Sequence, residues 1–181
     1  MTMSPNLRKF TLTAHLAFSV GWIGAIAAYL PLDIAAATSQ DPQTVRAAWM
    51  AMGLIARYVI VPLAIASLLT GLIISLGTRW GLFRHWWVLI SLVLTVVATL
   101  VLLSEVGLIS RVAEVAADPA TSGDDLRALG NTLVHSIGGL LVLLVVHVLN
   151  VYKPEGVTPY GWRKQQEQRS KRREQRTVLV P

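Results

Sequence analysis

The chain has 181 residues, of which 54% are hydrophobic and only 14% charged, a balance too apolar for an ordinary soluble domain. The lack of cysteine excludes disulfides, thiolate metal sites, iron–sulfur clusters and cysteine nucleophiles together, so any metal must use His, Met or carboxylate. The formal net charge of +6 sits almost wholly in the C-terminal tail, which makes a membrane surface the nearer partner and gives no case for nucleic acid.

After a short polar start with Arg8 and Lys9, residues 10–30 form an apolar run long enough, at ~1.5 Å per residue, to cross the ~30 Å core of a bilayer. A signal peptide with Ala25 and Ala27 at its cleavage site is the other reading, but the run exceeds the usual ~7–15 residues. Residues 31–40 read as a loop. Asp41 then serves as an N-cap, with Pro42 at the first helical position. The helix opened there leads into the second span, 53–77, where Pro62 predicts a kink. A turn at 78–84 precedes the third span, 85–103, whose helix extends less apolarly to Ala117 and stops at Asp118-Pro119. Ser122 is the next N-cap, with Asp124 and Asp125 in the first turn favouring the helix dipole. The fourth span, 131–152, ends at Lys153-Pro154. The tail, 154–181, is rich in Arg, Gln and Glu, which predicts disorder or at best a surface-lying helix.

The expected fold is all-α: an integral membrane four-helix bundle, up-and-down, built from residues 1–153. Four spans put both termini on one side. That side carries Arg8, Lys9, Arg79, Arg84, Lys153 and the basic tail, whereas the other carries Asp33, Asp41, Glu105, Glu114, Asp118, Asp124 and Asp125 against Arg46, Arg111 and Arg127. The excess of Lys and Arg makes the first side cytoplasmic, in a cell (inner or plasma) membrane. The tail would meet anionic lipid headgroups there. A membrane-protein partner or a second copy of the chain is a further expectation.

Topology turns the four histidines into depths. His15 follows Lys9 by six residues and His147 precedes Lys153 by six, so each lies ~9 Å above the cytoplasmic face. His85, next to Arg84, lies at that boundary. His135 is ~18 Å above His147 and turned by ~120°, in the outer half. Two level imidazoles on different spans are what a six-coordinate haem b needs, one axial nitrogen each. Trp22, on one polar and aromatic stripe with Thr11, His15 and Ser19, would stand beside such a haem, and Arg84, Arg8, Lys9 or Lys153 would meet its propionates. The plainer reading has each histidine hydrogen-bonding a neighbour in a non-catalytic scaffold or accessory subunit. Gly138 and Gly139 on the fourth span, and Ser67, Thr70, Gly71 and Ser75 on the second, let helices approach closely. In the outer half, Met50, Met52 and His135 offer thioether and imidazole to copper, although residues two apart on a helix point ~200° apart. Arg57 is expected to pair with Glu105 or to snorkel outward. No phosphate-binding loop, dinucleotide fingerprint, zinc-protease motif or serine elbow is present.

The stretch from His15 through Trp22 and Gly24, followed by Tyr29-Leu30-Pro31-Leu32, resembles the opening helix of small bacterial membrane proteins. These include copper-resistance-D-like proteins and the membrane-bound, haem-binding protoporphyrinogen oxidases. Residues 151–165 and 81–89 resemble more specifically an uncharacterised family of predicted integral membrane proteins common in actinobacteria. The first resemblance implies haem binding by His15. The oxidase family carries a functional lysine about four residues after a tryptophan in its third helix. Ser91 stands at that place after Trp87, so the resemblance does not extend to the oxidase reaction.

Overall fold

The computed structural model describes residues 3–78 and 81–178, which leaves Arg79 outside the described residues. The elements are α1 (Pro5–Thr38), α2 (Pro42–Ile55), a π-turn (Ala56–Ile60), α3 (Val61–Gly77), α4 (Trp86–Ala117), α5 (Gly123–Ala128), α6 (Leu133–Tyr152) and α7 (Pro159–Val178). Among the described residues there is no strand, only an isolated bridge between His85 and Val157. Four helices are long and apolar enough to cross a membrane: α1, the continuous Pro42–Gly77 rod, α4 and α6.

The side chains around these helices carry the same message. Leu16, Val20, Leu54, Leu69, Leu100, Leu141 and Val148 are all exposed. An apolar belt of that extent, unsupportable in water, is what lipid covers. The protein is therefore a multi-pass membrane protein.

The loop expected at 31–40 is instead helix as far as Thr38, with Pro31 inside it. Proline removes one backbone bond, but the alanine-rich segment after it favours helix, and the buried side chain of Asp33 is held from another span. The N-cap at Asp41 is as read: its carboxylate accepts from the N–H groups of Gln43 and Thr44. The Thr44 hydroxyl, and then the Gln43 N–H, hold that carboxyl below the usual carboxylate range. At Pro62 the rod answers the missing N–H by widening. The Val61 N–H bonds to Ala56 O, five residues back, so a π-turn stands where a kink was expected.

The spans pack as a ring. α1 lies against α2, α3 and α6, while α4 lies against α2, α3 and α6. From α1, besides Thr11 near its start, the buried positions are Trp22, Ile26, Tyr29, Asp33 and Ala36, alternating steps of four and three that keep one stripe on the bundle axis. Val45, Ala48, Trp49, Met52, Ala56 and Ile60 meet them from the second span. Next to this core, Arg46 donates to the carbonyls of Ala116, Asp118 and Thr121, so a guanidinium satisfies the open end of α4. At the other end, the Met3 N–H bonds Gly77 O, and the Trp86 and Thr158 N–H groups bond Gly156 O and Arg84 O.

The tail forms a helix from Pro159 to Val178, the second of the two readings its composition allowed. Thr158 caps it by accepting from the Gly161 N–H, and Lys164 pairs with Glu167 at 2.8 Å, each stabilising the other's charge.

Candidate functional site

Asp33 is fully buried, with 0% of its surface exposed. A carboxylate in that position needs donors, and three converge on it from the start of α6. The Thr132 N–H reaches Oδ1 at 3.0 Å, while the Thr132 hydroxyl and the Ser136 hydroxyl reach Oδ2 at 2.9 and 2.7 Å. Because the Thr132 hydroxyl gives its single proton to Asp33, it accepts from Tyr29 Oη, 3.1 Å away. The chain Tyr29–Thr132–Asp33 thus has a fixed donor direction. The carboxylate also sits at the N-terminus of α6, where the helix dipole favours negative charge.

Above this cluster is a cavity of about 300 Å³ between α1, α4, α6 and the π-turn. Its walls are mostly apolar: Ile26, Ala56, Ile60, Leu94, Val142 and Leu143. Its polar positions are Trp22, Tyr29, Thr132, Ser136, Glu105 and His135. His135 Nε2 lies 3.8 Å from Glu105 Oε1. The Trp22 indole N–H, on a side chain only 2% exposed, has no hydrogen-bond partner among the described residues. Three lining residues, Val97, Val101 and Val134, are themselves exposed. They mark a mouth that opens sideways between the third and fourth spans, onto the lipid-covered surface.

His15 lies outside that cavity, turned toward the second span. Its Nδ1 is 3.1 Å from both Ser67 O and Thr70 Oγ1. A carbonyl only accepts, and Thr70 already donates to Ala66 O at 2.6 Å, so Nδ1 carries the proton and Nε2 keeps its lone pair. The ring lies flush on Gly71: an added Cβ there would come within 3.1 Å of Cε1. Gly71 is thus the seat of the imidazole. His147 is half-buried on α6, which packs against α1.

The other candidates fall elsewhere. Trp22 lines the cavity, roughly 10 Å along α1 from His15, rather than flanking the imidazole. Arg84 and His85 are joined to the tail: Arg84 O accepts from Thr158, and His85 bridges Val157. Met52 is fully buried while Met50 is exposed, so the two sulfurs face opposite ways, and His135 is beside Glu105. The structure does not gather the copper set. Arg57 is exposed and stands over the Tyr58 ring, 5.8 Å from its centroid, rather than meeting Glu105. No group of three or more His, Asp or Glu suited to a metal occurs among the described residues.

Comparison of the chain with family models, with curated proteins and with solved structures gives no match. What the site does must therefore be argued from its geometry.

Sequence reasoning missed the roles of Asp33, Tyr29, Thr132 and Ser136. The signal was available: the stripe Thr11, His15, Ser19, Trp22 continues in the same steps to Ile26, Tyr29 and Asp33 once Pro31 is allowed inside the helix.

Proposed function

We propose that this multi-pass membrane protein holds a b-type haem between its first and fourth spans, with His15 and His147 as the axial pair, in a redox or haem-handling role. The observation that carries this reading is the bond from His15 Nδ1 to Ser67 O. Metal-ligating histidines typically donate their second ring N–H to a carbonyl or carboxylate, which fixes the tautomer and aims the other nitrogen. In support, His15 Nε2 keeps its lone pair, and His147 stands on α6, which packs against α1. When bound, such a group supplies one-electron exchange. The protein's own part is to orient His15 through Ser67 and Thr70 and to exclude water with the surrounding apolar helices.

The same proposal sets the chain in the cell membrane, up-and-down, with both termini cytoplasmic. Support comes from charge and from the contacts of Met3 with Gly77 and of Thr158 with Arg84. In α7, Arg163, Lys164, Arg169, Lys171, Arg172, Arg173 and Arg176 outnumber Glu167 and Glu174. Beside an anionic leaflet each such cation contributes ~1 kcal/mol to headgroup binding.

The test is the absorption spectrum of the purified, haem-supplemented protein. We expect a Soret band of six-coordinate type, lost or converted in His15→Ala and in His147→Ala and unchanged in His135→Ala. A featureless spectrum in the unsubstituted protein returns both histidines to packing roles in a membrane scaffold.

A further inference from the structure

The cavity beside the π-turn is independent of the histidine pair, since neither His15 nor His147 lines it. We propose that it is a binding site for a lipid-soluble quinone, a neutral ring carrying carbonyl oxygens on an apolar body, which enters from the bilayer between the third and fourth spans. Four observations converge on that class.

At about 300 Å³ the cavity reaches the size of small-molecule sites, and its wall is mostly aliphatic. Its mouth, at Val97, Val101 and Val134, opens where lipid lies, so the ligand arrives dissolved in the bilayer. At the rim, the half-exposed His135 presents a ring nitrogen beside Glu105, a polar group that a ring carbonyl meets.

The fourth observation is charge. Glu105 is on the wall, and Asp33 lies directly behind Thr132 and Ser136. Two carboxylates with one imidazole disfavour an anionic headgroup, which excludes fatty acids as the fitting class. His135 and Glu105 together present a nitrogen and a carboxylate oxygen at the polar rim. That pair offers a donor to a ring carbonyl and an acceptor to a ring hydroxyl.

The experiment uses the full chain in nanodiscs of neutral phosphatidylcholine, with a decyl-substituted benzoquinone as the probe. Decanoate and decylamine serve as anionic and cationic controls, and protein-free nanodiscs give the partition background. We expect saturable quinone binding above that background, with neither control competing. His135→Ala should weaken the affinity about tenfold, the loss of one hydrogen bond to the ring carbonyl. Gly138→Phe should abolish binding, because a Cβ at Gly138 meets nothing within 4 Å and a larger side chain there projects into the cavity. His15→Ala and His147→Ala should leave quinone binding unchanged, which separates this site from the haem reading. Binding no greater than partition, competition by decanoate or decylamine, or an affinity unmoved by Gly138→Phe would each overturn the proposal. If His135→Ala fails to fold, Gly138→Phe still decides.

Discussion

A single carboxylate joins the first and fourth spans. Asp33 accepts three hydrogen bonds from Thr132 and Ser136 within a region closed to solvent, so removing it strands the Thr132 backbone N–H and takes the shared charged acceptor from two hydroxyls. We expect Asp33→Ala to lower stability by about 3 kcal/mol, read by thermal unfolding in detergent. Asp33→Asn should fall between, because an amide has one acceptor oxygen and must turn its NH₂ toward a donor. A wild-type melting profile for Asp33→Ala would show that the cluster holds nothing together. Asp33 illustrates why part of the site was illegible. Its partners are about a hundred residues away, and local signals, Pro31 before it and Ser39-Gln40-Asp41 after it, all read as loop. His15 was legible as a polar residue on an inward stripe, but which span would meet it was not. Ser67 and Thr70 looked like close-packing residues of the second span, and only the folded chain shows them as the acceptors of Nδ1.

Helices in this chain end and bend through specific chemistry. The second span absorbs Pro62 as a π-turn, and the widened turn places Ala56 and Ile60 on the cavity wall. The proline was readable as a disruption, whereas its resolution into a wider turn depends on what packs against it. At the opposite end, α7 is held by a clasp: Thr158 donates its N–H to Arg84 O and its hydroxyl to Phe83 O, and Gly161 sits directly on the Arg84 carbonyl. No side chain fits there, because the atom in the way is backbone rather than a flexible tip. Gly161→Ala should therefore release α7 from the turn after the second span while leaving the four spans folded. Hydrogen exchange would show loss of protection at the Thr158 N–H, which bonds to Arg84 O across the clasp. Unchanged protection there would mean that α7 is held by its own helix rather than by the turn. Composition alone suggested disorder for this segment, since its polar residues cannot bury a core; the anchor is a glycine and a threonine, neither of which stands out in a basic run.

The whole molecule is polarised along the bundle. One end gathers the N-terminus at Gly77, the segment before the third span at 83–85 and the start of α7, while the other carries Arg46 bound to the end of α4 and the acidic run at Asp124 and Asp125. Composition and periodicity made the four spans legible, because ~20 apolar residues in a row have few other solutions. Two of the helical extensions past the apolar runs were legible from their ends, at Asp41-Pro42 before the second span and Asp118-Pro119 after the third, whereas the continuation of α1 to Thr38 was not. The proposed orientation rests on the asymmetry of Lys and Arg close to the spans, with Arg8, Lys9, Arg84 and Lys153 at the first end. A reporter active only outside the cytoplasm should therefore be silent when fused after Trp162 and active when inserted between Asp118 and Asp125. Replacing Arg8, Lys9 and Arg84 with neutral residues should weaken that bias without inverting it, since the basic residues of α7 remain on the same side. Activity after Trp162 would place α7 outside, remove the anionic leaflet from its reach, and reverse every depth assigned to His15 and His147.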